Sequence, residues 1–142
     1  MTYKIVVGAD GSPHGNAALQ WAIDHAVLLN GAVTAVFAWQ VPFLGMPSAF
    51  DRDELEKLAK DYLTETVSAV APSPPVPLWT VVAEGDPTEA LIAASEQADL
   101  LVLGSRGRNP FRGLLLGSVC QGAAANTKCP VVIVKIPPDG QA

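Results

Sequence analysis

Short apolar runs alternate with longer amphipathic stretches along the chain. The apolar runs predict five strands, at residues 3–8, 32–39, 78–83, 100–104 and 131–135. The stretches between them predict four helices, from residue 13 to the Asn30-Gly31 pair and at residues 50–70, 88–97 and 116–127. Such alternation is typical of an α/β fold with a doubly wound, five-stranded parallel sheet and helices on both faces.

The first helix has the clearest boundaries. Ser12 provides an N-cap, Pro13 suits the first helical position, and Asn30-Gly31 provides the end. The residues expected to share its inner face are Ala17, Ala18, Trp21, Ala22, His25 and Leu28. In the second helix, the charged residues between positions 51 and 61 predict a solvated face.

Two loops that follow strands carry the candidate chemistry. Asp10 follows the first strand, and Gly104-Ser105-Arg106-Gly107, nine residues and then Gly117-Ser118 follow the fourth. Glycines let a ligand approach the backbone, and the start of a helix attracts anions, so the second loop predicts a phosphate cradle. Ligands in such sheets bind where the winding direction reverses, which selects these two loops. A carboxylate there suits ribose hydroxyls or an adenine amino group, so the pair predicts a whole nucleotide.

Length and composition narrow the class of protein. With 142 residues, 49% of them apolar and 16% charged, the chain predicts a single ordered domain with its core at residues 3–136 and a tail at 137–142. No apolar run is long enough to span a bilayer, and the N-terminus enters a strand directly, so we expect a soluble, cytoplasmic protein without membrane contact. Cys120 and Cys129 are expected to be free thiols, with no metal set around them.

The charge distribution separates the glycine loop from the rest of the chain. The formal net charge of −5 argues against nucleic-acid binding. Yet three of the nine Lys and Arg residues, Arg106, Arg108 and Arg112, lie in this loop, and no acidic residue occurs between Asp99 and Asp139. The loop is therefore predicted to bind an anion.

These residues resemble the universal stress protein family, and specifically its ATP-binding branch. The family signature is Gly, two residues, Gly, nine residues, Gly and then Ser or Thr, which the residues from Gly104 to Ser118 match. Residues 6–12 match the family's first loop, and the resemblance extends over residues 4–135. It implies the strand order 3-2-1-4-5, in agreement with the two loops selected above.

The resemblance also implies ligands and residue roles. ATP, with Mg²⁺ or Mn²⁺, would contact Asp10 through its ribose and the backbone near Ala9 and Trp39 through its base. The phosphate-binding residues implied are Gly104, Ser105, Arg106, Gly107, Gly117, Ser118 and Val119. The family pattern does not account for the loop at residues 41–49, with its apolar Phe43, Leu44 and Met46.

Taken singly, these positions have simpler interpretations. Gly104 and Gly107 could be ordinary turn glycines, Ser118 with Gln121 fits a helix capping box, and Asp10 could cap the first helix. Trp39 could be a core aromatic at a strand end. The complete spacing favours the nucleotide site.

Four functions compete for this sequence. The favoured one is a nucleotide-binding stress or signalling protein with little or no hydrolysis, acting through an unknown protein partner. An ATPase or phosphotransferase is disfavoured, because the loop has no carboxylate and the chain has no P-loop motif. A scaffold without nucleotide conflicts with the intact glycines. AMP or cyclic AMP in the same pocket stays open, whereas the absence of the dinucleotide fingerprint disfavours NAD.

The fifth strand also predicts an assembly. Residues 131–135 are almost continuously apolar and would lie at the edge of the sheet in the implied order. An unpaired apolar edge is usually covered or paired. We therefore expect a homodimer through this strand, which is also common in the family that the chain resembles.

Overall fold

A computed structural model describes residues 2–40, 51–107 and 116–136. Strands and helices alternate through these residues as the hydrophobic pattern predicts. The elements are β1 (Lys4–Gly8), α1 (Pro13–Leu29), β2 (Ala32–Trp39), α2 (Arg52–Val70), β3 (Leu78–Glu84), α3 (Pro87–Ala94), β4 (Leu100–Gly104), α4 (Ser118–Asn126) and β5 (Val131–Val134).

The five strands form one parallel sheet in the order β3-β2-β1-β4-β5. Val6 of β1 lies opposite Thr34 of β2 on one side and Leu101 of β4 on the other. The chain winds outward from β1 in one direction to β3, then crosses back to β4 and β5. The predicted sheet and its order are confirmed, and the reversal lies between β1 and β4.

The sheet separates two apolar cores, with helices on both faces. Ile5 and Val7 of β1 pack with α1 and α2, whereas Val6 between them packs with α3 and α4. Neighbouring side chains point to opposite faces of a strand, so strands buried on both faces are apolar at successive positions. This burial explains the uninterrupted apolar runs from which the strands were predicted.

The inner face of α1 differs from the one that the sequence predicts. The residues of α1 buried against the sheet are Gly15, Ala18, Leu19, Ala22, Ile23 and Ala26. Trp21 is partly buried against the same core and stacks on His25 with ring centroids 4.3 Å apart, and Leu28 is 77% exposed. The prediction was wrong in part, because two apolar stripes that share Ala18 and Ala22 fit the helical period. A polar stripe of Asn16, Gln20 and Asp24 occupies another side of the helix. The face that packs is the one whose small residues allow close contact.

The helix ends follow local capping chemistry. Asn30 ends α1 in the left-handed conformation, with φ 51°, and Asp51 caps α2 by accepting a hydrogen bond from the amide of Asp53. Several helix ends differ from prediction by one to three residues: for example, α3 ends at Ala94 rather than at residue 97, and α4 begins at Ser118 rather than at residue 116.

Several predicted features lie outside the described residues. They are Arg108, Arg112, the loop at 41–49 and the tail at 137–142. Within the described part, Cys120 and Cys129 are free thiols, as predicted. No helix there combines the length and the apolar character that a membrane span requires.

Candidate functional site

A cavity of about 700 Å³ opens beyond the carboxyl ends of β1, β2 and β4. It lies at the reversal point of the sheet, where the two selected loops meet. Of the ten residues predicted for the site, all except Ser105 line this cavity: Ala9, Asp10, Trp39, Gly104, Arg106, Gly107, Gly117, Ser118 and Val119. The structure therefore brings together residues that are more than 100 positions apart in the sequence.

Asp10 is held in a tight turn between β1 and α1. Its carboxylate oxygen Oδ1 accepts hydrogen bonds from the amide of Ser12, at 2.9 Å, and from the hydroxyl of Ser12, at 2.5 Å. The hydroxyl oxygen in turn accepts from the amide of Gly15 at 3.0 Å. Ser12 is therefore the N-cap of α1, as predicted, and the alternative that Asp10 caps this helix is wrong.

Two glycines from different elements leave room for the Asp10 carboxylate. A Cβ on Gly15 of α1 would lie 2.5 Å from Oδ1, and a Cβ on Gly107 of the glycine loop would lie 3.1 Å from Oδ2. The first separation is too short for any side chain, and the second is tight. The carboxylate therefore lies close to both the start of α1 and the glycine loop.

Gly104, at the end of β4, has a packing role. A Cβ there would lie 2.6 Å from the carbonyl carbon of His14 and 2.7 Å from its oxygen. Backbone cannot move aside as a flexible side chain can, so β4 and the first turn of α1 approach this closely only without a side chain. The glycine loop follows β4 and the β1–α1 turn precedes α1, so this contact brings the two loops of the site close together.

Ser105 holds the start of the glycine loop in place through two main-chain hydrogen bonds. It is buried, its amide donates to the carbonyl of Val134 at 2.9 Å, and its own carbonyl accepts from the amide of Gly117 at 2.7 Å. The second bond joins the two ends of the loop. Both amides are engaged inside the protein, which removes Ser105 and Gly117 from the amides that face the cavity.

The first turn of α4 opens onto the cavity. Gly117 is its N-cap, with φ −69° and ψ 163°, and no side chain caps the helix there. The first-turn amides of Ser118, Val119 and Cys120 have no carbonyl partner within the helix, and these residues line the cavity. The predicted capping box is wrong: Gln121 donates through Nε2 to the carbonyl of Leu116, at 2.8 Å.

The conformation of Gly117 does not itself require glycine. Its backbone angles suit any residue, and a Cβ would meet atoms no closer than 3.5 Å. A Cβ here would lie beside the backbone of residues 105–107, at the wall of the cavity that Gly117 lines. The missing side chain enlarges the cavity at the start of α4.

The wall of the cavity at the end of β2 is more apolar, with Val36 buried and Trp39 half-buried. Leu91, in the second turn of α3, is another buried residue of the wall and belongs to the same buried cluster as Cys120 of α4. The carbonyl of Trp39 accepts from the amide of Gly85 at 2.7 Å, which ties the end of β2 to the turn after β3. An apolar recess beside polar main chain suits a planar, partly polar ligand.

Cys120 contributes a buried thiol to the wall of the cavity. Burial raises the pKa of its thiol above the ordinary 9.0, since desolvation disfavours the thiolate. The thiol is therefore protonated at neutral pH and a poor nucleophile. Among the described residues, no cluster of three or more His, Cys, Asp or Glu side chains could hold a metal ion.

The family model for the "Universal stress protein family" matches residues 1–135. The chain belongs to the universal stress protein family. Among its relatives, universal stress protein MJ0531 of Methanocaldococcus jannaschii is 33% identical over 140 residues, covering 94% of this chain and 82% of the relative. Universal stress protein Rv2623 of Mycobacterium tuberculosis is 31% identical over 132 residues, covering 92% of this chain but 44% of the relative. This universal stress protein chain spans less than half of that longer relative.

Solved structures share the fold. The universal stress protein UspA from Lactobacillus plantarum superimposes with a TM-score of 0.76 at 24% identity, over 93% of this chain and 97% of that one. A universal stress protein in complex with cAMP has a TM-score of 0.63 at 26% identity, over 93% and 95%. A family protein from Arabidopsis thaliana with AMP bound has a TM-score of 0.67 at 20% identity, over 99% and 95%.

Sequence reasoning missed ten of the residues that line the cavity, among them Phe37, Gly15 and Cys120. It also missed Tyr62, which contacts the Asp10 turn from α2. Gly15 had a detectable signal, a glycine in the first turn of an otherwise alanine-rich helix. The others occupy positions where core residues are ordinary, so the sequence carries no separate signal for them.

We expect the two loop glycines to respond in opposite directions to alanine. Gly104→Ala should lower the free energy of unfolding by about 1–3 kcal/mol, because its Cβ overlaps the His14 backbone. Gly117→Ala should leave it unchanged or raise it by up to about 1 kcal/mol, because its backbone angles suit alanine. Urea denaturation of both variants measures the difference. Equal destabilisation would contradict the packing role of Gly104.

Proposed function

We propose that the chain binds an adenine nucleotide in this cavity, with ATP as the principal ligand, and acts as a nucleotide-dependent stress or signalling protein. The observation that carries the proposal is the pairing of the Asp10 carboxylate with the open first turn of α4 across one cavity of about 700 Å³. That volume lies in the range of small-molecule sites. Family membership supports it, because solved family members hold AMP and cAMP.

Asp10 is assigned to the ribose. One carboxylate oxygen, Oδ1, is already engaged by Ser12, and this bond fixes the direction of the carboxylate. A fixed carboxylate accepts hydrogen bonds well, but it repels phosphate. The ribose hydroxyls are donors that match it, and the apolar recess beside Val36 and Trp39 then receives the base.

The phosphates are assigned to the start of α4 and the glycine loop. The amides of Ser105 and Gly117 are engaged internally, so the main-chain donors assigned to the phosphates are those of Gly107, Ser118 and Val119, which line the cavity. The positive end of the helix dipole favours an anion at this point. Arg106, also in the wall, adds a full positive charge to the phosphate end.

A divalent cation would accompany the triphosphate. Mg²⁺ and Mn²⁺ prefer oxygen ligands, and in nucleotide sites they bind mainly to phosphate oxygens and water, with one or two carboxylates. Because Asp10, the carboxylate among the described cavity residues, is assigned to the ribose, phosphate oxygens and water would supply the ligands of the cation. The cation would neutralise phosphate charge, and its retention would depend on the nucleotide.

Little or no hydrolysis is proposed for the bound ATP. Hydrolysis needs a group that positions or deprotonates the attacking water near the terminal phosphate. Among the described wall residues, Asp10 is the one carboxylate, and its assignment to the ribose leaves no general base. A slow ATPase or phosphotransferase is the enzymatic alternative.

AMP or cyclic AMP is the second candidate ligand, and solved structures of family members support it. Family members of the same fold hold these nucleotides, and the cAMP-bound one is 26% identical to this chain. The proposed ribose and base contacts are common to all three ligands. The proposed setting is the cytoplasm, and the partner that responds to nucleotide occupancy is a protein.

Gly117→Val should weaken nucleotide binding without unfolding the protein. The branched side chain would occupy the space where phosphate approaches α4, so we expect about a tenfold or greater rise in Kd for ATP. Calorimetric titration with ATP, AMP and cyclic AMP, with and without Mg²⁺, measures it. Ala125→Val is the matched control, an exposed position later in α4 that does not line the cavity. Wild-type protein that binds none of the three ligands would refute the proposed function.

Turnover of ATP should stay well below about 1 per second, the lower end of ordinary enzyme rates. Phosphate release from the wild type, Asp10→Ala and Arg106→Ala measures it under saturating nucleotide. A rate in the enzymatic range that falls in both variants would replace the binding function with a catalytic one.

We also propose a homodimer through β5. Its residues Val131–Val134 are half-buried at one edge of the sheet and alternate between the two cores. The carbonyl of Pro130 accepts a hydrogen bond from Leu101 of β4, and that of Val134 accepts one from Ser105, directly after β4. By the alternation of a ladder, the amides of Val131 and Ile133 point away from β4, toward the open edge. A second β5 could pair with them across a two-fold axis.

Ile133→Pro should dissociate this dimer, because proline removes an outward donor and leaves the bonds to β4 intact. Light scattering at micromolar concentration measures the mass. The matched control is Thr80→Pro on β3, the other edge of the sheet, where the same alternation directs the amide outward. A dimer lost in Thr80→Pro but retained in Ile133→Pro would assign the interface to β3, and a wild-type monomer would refute the dimer.

A further inference from the structure

Tyr62 connects α2 to the turn that holds Asp10. Its hydroxyl donates a hydrogen bond to the main-chain carbonyl of Asp10 at 2.7 Å, across 52 positions of sequence. Tyr62 is half-buried and does not line the cavity itself. The bond engages the backbone of Asp10, whereas Ser12 engages its side chain, so the residue is held at two points.

The Asp10-Gly11 turn is shaped around this tyrosine. Gly11 has φ +82°, a conformation that strongly favours glycine. A Cβ on Gly11 would lie 1.9 Å from the hydroxyl oxygen of Tyr62. The space that a side chain would need is occupied by the tyrosine hydroxyl, and the backbone rests directly against it.

The tyrosine ring also contacts a second wall of the cavity. The rings of Tyr62 and Phe37 have centroids 5.0 Å apart and planes inclined by 44°, within the range of favourable aromatic pairs. Phe37 lines the cavity from β2. One residue of α2 therefore contacts both the β1–α1 turn and the β2 wall, which come from different parts of the chain.

We propose that Tyr62 is a positioning residue of the nucleotide site, which fixes the Asp10 carboxylate and the Phe37 wall at one spacing. The inference rests on the proposed function, because the carboxylate that Tyr62 positions is the one assigned to the ribose of an adenine nucleotide. Without the hydroxyl, the glycine turn regains backbone freedom that nucleotide binding must then remove. Tyr62 thus acts through Asp10, and α2 becomes part of the site without touching the ligand.

Tyr62→Phe tests this role, because it removes one oxygen and keeps the ring against Phe37. We expect the Kd for AMP to rise by about three- to tenfold, the range of one hydrogen bond, with thermal stability close to that of the wild type. Tyr3→Phe is the matched control: it makes the same change in a partly buried ring at the opposite end of β1. Its Kd should equal that of the wild type.

A double-mutant cycle with Asp10→Ala tests whether Tyr62 acts through the Asp10 carboxylate. If Tyr62 acts by positioning the carboxylate, its substitution should cost little affinity once that carboxylate is absent, so the two effects are not additive. A purely structural role would lower the melting temperature and leave the cycle additive. Unchanged affinity in a folded Tyr62→Phe protein, or an additive cycle, would overturn the inference.

Amide hydrogen exchange of the protein without nucleotide separates this inference from the proposed function. Residues 9–12 should exchange faster in Tyr62→Phe than in wild type or Tyr3→Phe. If the wild type binds no adenine nucleotide, the proposed function fails, and unchanged exchange in Tyr62→Phe rejects the positioning role independently.

Discussion

The site depends on the close backbone contact between the end of β4 and the first turn of α1. Gly104 lacks the side chain that would keep the strand away from His14, so the two segments meet main chain to main chain. The β1–α1 turn and the glycine loop follow directly from these segments. Their separation is therefore determined by backbone packing, and the Asp10 carboxylate occupies the gap between Gly15 and Gly107. A wider contact would open the gap and separate the carboxylate from the start of α4.

The fold could be predicted from the sequence because the central strands β1 and β4 are buried on both faces. Continuous apolar runs such as Ile5-Val6-Val7 and Leu100 to Leu103 have few alternatives to a central strand. The site could be located because the glycine spacing and Asp10 follow strands that meet at the reversal point. The inner face of α1 could be predicted only in part, since two apolar stripes that share Ala18 and Ala22 fit the helical period. Tyr62 could not be found either, because a tyrosine on an amphipathic helix is ordinary and its partner Asp10 is distant in sequence.

Each glycine of the family signature has a different physical role. Gly104 allows a backbone contact, Gly107 leaves room for a carboxylate, and Gly117 leaves the cavity open without any steric need of its own. The signature therefore combines constraints on packing with a constraint on the cavity. A protein that kept the first two glycines and lost the third would retain this fold while its cavity became smaller.

The wall of the cavity offers main-chain amides at α4 and few polar side chains. Main-chain groups persist through almost any substitution, so most point mutations around such a cavity delete no donor. Divergence can erase much of the sequence while the arrangement of donors survives, provided that the helix start and the glycines remain. The sensitive positions are those where bulk is added. In this architecture, the substitutions that alter the cavity most are those that add atoms, because each added atom reduces the volume between the two loops.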